Sequence, residues 1–196
     1  MKRLPHAFGW HSRGYLPHFD GGELAQFITF RLHDSLPGSV LAHWREELKQ
    51  EMPGEIEALM RRRVEAYLDQ GHGVCYLQDL RIAGLVQDAW LFHDQRKYRL
   101  AAWVIMPNHA HILCTPNIGC SLASIMHSLK SYTANEANKL LNRRGHFWQK
   151  EYFDRYIRNA THYTKVAQYI ENNPVRARLC EKPEEWPFGS ARFRKS

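Results

Sequence analysis

Residues 103–114, WVIMPNHAHILC, constrain the chain more than any other stretch. An apolar run meets Pro107-Asn108, residue types that favour a turn, and a second apolar run opens on His109 and His111. Two strands joined by such a turn form a hairpin. Side chains alternate along a strand, so His109 and His111 share one face while Ala110 points into the other layer. Two imidazoles held side by side are half of a divalent-metal site. They also suit the polar face of an amphipathic strand, so the pair alone does not decide its own role.

Elements on either side supply a sheet for this hairpin. Residues 25–33 (AQFITFRLH) alternate, with Phe27, Thr29 and Arg31 on one face and Ile28, Phe30 and Leu32 on the other. Both faces are largely apolar, which suits a central strand. Helical sequence runs from a cap at Ser39 to about Gln70, broken at Pro53-Gly54. Leu59, Met60, Val64 and Leu68 form its apolar side, and Arg61 to Arg63 read as a solvated run. Further helices are expected over 79–93, 121–142 (capped by Ser121) and about 162–172, capped by Asn159 or Thr161 and ended before Pro174. Residues 98–106, 109–115 and 147–158 read as extended. This order predicts an α+β, ferredoxin-like antiparallel sheet with helices packed on one face and a last helix near the C-terminus. At 196 residues one domain is expected. It divides into an irregular arm (1–24), a core (25–175) and a loosely structured basic tail (176–196).

A net charge of +7 and a pI near 9.3 point to a polyanionic partner. Arginine carries much of that charge and suits bidentate phosphate contacts. Cys75, Cys114, Cys120 and Cys180 show no Cys-x-x-Cys spacing, so neither a zinc ribbon nor a disulfide framework is indicated. No apolar run is long enough to cross a bilayer and the basic N-terminus lacks a hydrophobic signal core. The expected compartment is a reducing, bacterial-type cytoplasm.

The last helix brings the second half of the chemistry. In QYIENNP, Tyr169 and Asn173 are four residues apart and share a helix face, with Lys165 one turn before them. A phenol can act as a nucleophile once its charge is supported, and an amide oxygen is a hard neutral ligand. A single helical tyrosine is more often packing; the combination is what has specificity.

WVIMPNHAHIL with its histidine-hydrophobe-histidine signature, GHFWQKEYFDRYIR and YIENNPVRARL resemble, in this order, the single-tyrosine HUH transposases, and among them the REP-associated tyrosine transposases. RGYLPHFD and GVCYLQDLRIA fit the same subgroup. The resemblance implies the ferredoxin-like fold already expected, and transesterification of single-stranded DNA. Tyr169 would attack a scissile phosphate to leave a 5′-phosphotyrosine and a free 3′-hydroxyl. It implies Mg²⁺ or Mn²⁺ held by His109, His111 and Asn173, with Gln168 and Asn172 ranked below Asn173. Unperturbed tyrosine is only ~0.1% phenolate at neutral pH, so the site must assist; Lys165 is the candidate cation. Tyr152 and Tyr156 are the alternative nucleophiles, though their aromatic surroundings read better as packing. The implied partner is single-stranded DNA folded into palindromic hairpins, bound by Arg13, Arg155, Arg158, Arg176 and Arg178, with the N-terminal arm and basic tail reading adjacent bases. The nucleoid is the implied place of work, no membrane is involved, and either a monomer or a homodimer fits.

Two rivals make different products. A non-catalytic DNA- or RNA-binding protein on the same fold would cut nothing, and a metallohydrolase would leave hydrolysed ends without a covalent adduct.

Overall fold

The computed structural model describes residues 9–12, 17–20 and 22–194. Near the N-terminus, β1 (Gly9–Ser12) pairs antiparallel with β2 (Pro17–Asp20), Trp10 opposite Phe19. The irregular arm expected there therefore contains a hairpin. Its strands are four residues each and open on Gly9 and Pro17, so backbone pairing defines them and no apolar alternation announces them. Arg13 lies outside the described residues.

The central sheet contains β3 (Gln26–Arg31), β4 (Tyr98–Ile105), β5 (His109–Pro116) and β6 (Phe153–Tyr156), all antiparallel, in spatial order β4-β5-β3-β6. Sequence neighbours β4 and β5 form the expected hairpin, while β3 lies between β5 and β6, as in the ferredoxin-like arrangement. Three helices join β3 to β4: α1 (Gly38–Glu47), α2 (Pro53–Asp69) and α3 (Leu80–His93). Pro53 opens α2 at a position where its missing N–H costs nothing. Gly73, in the link from α2 to α3, has φ +76°, and a Cβ there would stand 2.6 Å from the Asp34 carbonyl oxygen. Helix α4 (Leu122–Leu140), capped by Ser121 as expected, joins β5 to β6. Asn159 rather than Thr161 caps α5 (Ala160–Glu171), accepting from the His162 N–H at 2.8 Å, and a short α6 (Asn173–Arg176) follows.

The sheet is covered on both faces. Ile28, Phe30, Trp103, Ile105 and Ile112 pack with Ile82, Val86 and Trp90 of α3 and Ile125 and Leu129 of α4. Each such side chain contributes roughly 1.5–3 kcal/mol when fully buried. Helices α3 and α4 thus share one face, as the ferredoxin-like plan requires. Phe27, Ala102, Val104 and Leu113 point the other way, and α5 covers them with Ala167 and Ile170. The apolar residues on both sides of β3 explain the second layer.

The C-terminal segment, expected to be a loose cover, is packed down. The Trp186 indole N–H donates to the Ile105 carbonyl at 2.9 Å, and the Ile105 N–H donates to the Phe188 carbonyl at 2.9 Å. Ser190 Oγ accepts from the Trp103 N–H at 3.1 Å and donates to Glu171 Oε1 at 2.7 Å. Backbone pairing along the β4 edge, which local composition does not reveal, fixes this tail. Among the described residues no helix is long and apolar enough to cross a membrane.

Candidate active site

The register of β5 against β3 sets His109 opposite Arg31 and His111 opposite Thr29, on the face that α5 covers. Both imidazoles are buried, with ring centroids 4.8 Å apart. Asn108, at the hairpin turn, donates from Nδ2 to the His72 carbonyl at 2.8 Å, so its Oδ1 faces His109. His109 Nδ1–H donates to that Oδ1 at 2.8 Å, which leaves a lone pair on Nε2. Thr29 Oγ1 lies 2.8 Å from His111 Nδ1 and can accept a hydrogen bond from its N–H in the same way. Fixing the outer nitrogen of each ring to orient the inner one is how metal-binding histidines are usually prepared.

Both Nε2 atoms are buried and have no hydrogen-bond partner. Burial disfavours their charged forms, holding His109 down at about 3 and His111 well below the usual imidazole range. They are therefore neutral lone-pair donors at physiological pH.

Helix α5 lays Tyr169 across this pair. Its ring meets His111 edge-on at 5.6 Å between centroids and Phe27 at 5.9 Å. The hydroxyl is buried and makes no hydrogen bond of ordinary geometry. Burial, followed by the negative charges of Glu65 and Asp69, raises its pKa above the usual phenol value; Arg176 pulls the other way. The Arg176 guanidinium sits 4.9 Å from the Tyr169 ring centroid. Lys165 is exposed and is not among the charges bearing on Tyr169. The cation beside the phenol is thus Arg176, which the sequence marked only as a DNA contact. Spacing places Lys165 on the same side of an isolated helix, but α6 returns Arg176 to the ring.

Asn173 is fully buried, with both amide atoms unpartnered, while Gln168 and Asn172 are exposed. Among the described residues no group of three or more His, Cys, Asp or Glu side chains could hold an ion alone. The expected set differs in kind, two imidazoles and an amide. The unpartnered His109 Nε2, His111 Nε2 and Asn173 Oδ1 fit a hard divalent cation's need for lone pairs.

Sequence reading missed the contribution of α2. Asp69 Oδ1, buried and unpartnered, lies 3.8 Å from His109 Nε2, too far for a hydrogen bond. Burial raises the Asp69 carboxyl to about 6, against the pull of Arg176. Glu65, one turn earlier, is also raised by burial. Arg61, Glu65 and Asp69 recur every fourth residue beside the apolar Val64 and Leu68, a polar stripe that could have flagged a sheet-facing role.

Beside Tyr169 opens a cleft of about 150 Å³ lined by Arg61, Glu65, Arg155, His162 and the rings of Phe27 and Phe153. Arg155 thus borders the site. Arg158 and Arg178 are exposed outside it. Tyr152 packs with the cluster on the opposite sheet face, and Tyr156, paired with Gln26, alternates away from Phe27 and the histidines. Neither rival tyrosine shares the imidazoles' face.

Residues 90–173 match the family described as Transposase IS200 like, a span from the end of α3 to Asn173. A REP-associated tyrosine transposase of Escherichia coli (strain K12) is 28% identical over 96 residues, covering 48% of this chain and 55% of that protein. The chain thus spans about half the length of the curated relative it matches. A solved REP-associated tyrosine transposase bound to a REP hairpin superposes with a TM-score of 0.60 at 16% identity, over 92% of this chain and 84% of that one, a likeness of fold.

Proposed function

We propose that the chain, whose residues 90–173 match the family described as Transposase IS200 like, is a metal-dependent transposase that cuts and rejoins single-stranded DNA at hairpin-forming palindromic repeats. The observation that carries the reading is the Tyr169 phenol lying edge-on to His111, beside two imidazole nitrogens with free lone pairs. In cleavage the phenolic oxygen bonds to phosphorus, the phenol proton is released, and the P–O3′ bond breaks. The 3′ oxygen leaves and takes up a proton, and Tyr169 keeps the 5′-phosphate. Attack by that 3′-hydroxyl, or another, reverses the step without ATP.

The residues divide the work. Asn108 and Thr29 hold the imidazoles in orientation. His109, His111 and Asn173 would hold Mg²⁺ or Mn²⁺, which when bound polarises the phosphoryl oxygens and offsets developing negative charge. Arg176, against the phenol ring, favours the phenolate over the phenol. Burial raises the cost of the phenolate, which Arg176 and the bound metal would have to offset. Tyr169 and His111 meet within one chain, which supports a site complete in a monomer. Arg155 beside the cleft and Arg158, Arg176 and Arg178 on the surface are the candidate DNA contacts, and the nucleoid in the cytoplasm is the place of work.

The test is a denaturing gel of hairpin-bearing single-stranded DNA incubated with protein, with and without Mg²⁺. The expected result is a metal-dependent covalent protein–DNA band that Tyr169→Phe abolishes while DNA binding persists. Hydrolysed ends without an adduct would favour a metallohydrolase, and uncut DNA would leave only a binding protein.

A further inference from the structure

The cleft beside Tyr169 is about half the low end of ordinary small-molecule pockets, about 300 Å³, so it does not enclose a nucleotide. Its lining suits something smaller and anionic. Arg61 comes from α2, Arg155 from β6 and His162 from the first turn of α5, so three elements converge on one opening whose wall includes the candidate nucleophile. The protonation of His162 follows from its contacts. The Arg158 backbone N–H donates to His162 Nδ1 at 3.2 Å, which puts the ring proton of the neutral imidazole on Nε2. Burial, with Arg155 and Arg158 nearby, disfavours the charged imidazolium. His162 is therefore a neutral N–H donor flanked by two permanent cations. Glu65 is the acid in the lining, and the Arg61 charge acts on it directly.

The geometry points to a phosphodiester seat: Arg61, with Arg155 and His162, clamps the phosphate of a DNA strand against Tyr169. The inference rests on the transposase reading and adds to it a DNA-contacting residue from α2, outside the matched 90–173 span. Arg63, two residues on, is paired with Glu47 of α1 and faces other work. Arg61 is thus the phosphate contact of an arginine run that otherwise reads as a solvated helix face.

The experiment measures binding of a fluorescein-labelled, mixed-sequence single-stranded oligonucleotide to the Tyr169→Phe protein over a range of salt concentrations. Each phosphate contact on single-stranded DNA contributes about 0.7 to the slope of log K against log salt. Adding Arg61→Ala is expected to flatten the slope by about 0.7 and weaken binding several-fold. Arg61→Lys, which keeps the charge, should restore the slope, and Arg63→Ala should leave it unchanged. In the Tyr169-containing protein, Arg61→Ala should also slow adduct formation. A slope unchanged by Arg61→Ala, in a variant whose circular dichroism is unaltered, overturns the clamp while leaving the transposase reading intact. A flattened slope in a protein that never forms an adduct keeps the phosphate seat and removes the transposase reading.

Discussion

A buried imidazole that stays neutral on folding makes the native state acid-sensitive. His109 falls to about 3 in the fold, against about 6.5 unfolded, and His111 shifts in the same direction. Below pH 6.5 the unfolded chain binds protons that the native site refuses, so each histidine removes about 1.4 kcal/mol of stability per pH unit. For His109 this loss runs from about pH 6.5 down toward 3, and His111 adds to it in the same direction. Asp69 runs the other way: its folded value of about 6 exceeds the unfolded one, so its buried charge costs stability above pH 6, and the cost fades as pH falls through 6. Asp69→Asn should stabilise the metal-free protein by about 1–2 kcal/mol at pH 7.5, allowing for screening by residual solvent, and by little at pH 4. Urea unfolding followed by tryptophan fluorescence checks this; equal effects at both pH values would contradict it. At this scale the sequence was informative where residues are neighbours. Strand alternation put His109 and His111 on one face, as the β5 register has them, whereas Asn173 falls in α6, beyond the end of α5 at Glu171. Asp69 and Glu65 reach the same site from α2 across a long loop closure, and no local period shows where that helix docks.

The site is shaped by α5, which has its own attachment to the sheet. Ala167 and Ile170 bury against Val104 and Leu113, so Tyr169 rides on a helix whose height is set by small and medium side chains. Ile170→Ala should cost about 2–5 kcal/mol, as other large-to-small core changes do. It should also slow adduct formation without altering any reacting group, because the phenol loses its seat over His111. A thermal melt and an adduct time course check both parts, and an unchanged adduct rate would mean that the α5 seat does not govern Tyr169. Elements with strong periods were legible, α3, α4 and the β4-β5 hairpin most clearly. The N-terminal hairpin and the docked tail were not. Their strands and turns are short, and what fixes them is backbone pairing and long-range contacts such as Trp186 to Ile105.

At the scale of the molecule, the ferredoxin-like sheet divides labour between its faces. One face carries α3, α4 and most of the aromatic core; the other carries the histidines, Tyr169 and α5. The fold class was readable from element order, because a hairpin flanked by helical crossovers leaves few arrangements for four strands. Helices were expected on one face; α5 covers the other as well, over Phe27, Val104 and Leu113. The central claim is that one chain holds the nucleophile and the imidazoles that serve it. Mixing two variants, Tyr169→Phe and His109→Ala/His111→Ala, on hairpin-bearing single-stranded DNA with Mg²⁺ tests it directly. The account predicts a covalent adduct with the wild-type chain and none with the mixture; an adduct on the histidine-lacking chain of the mixture, or none on the wild type, would contradict it.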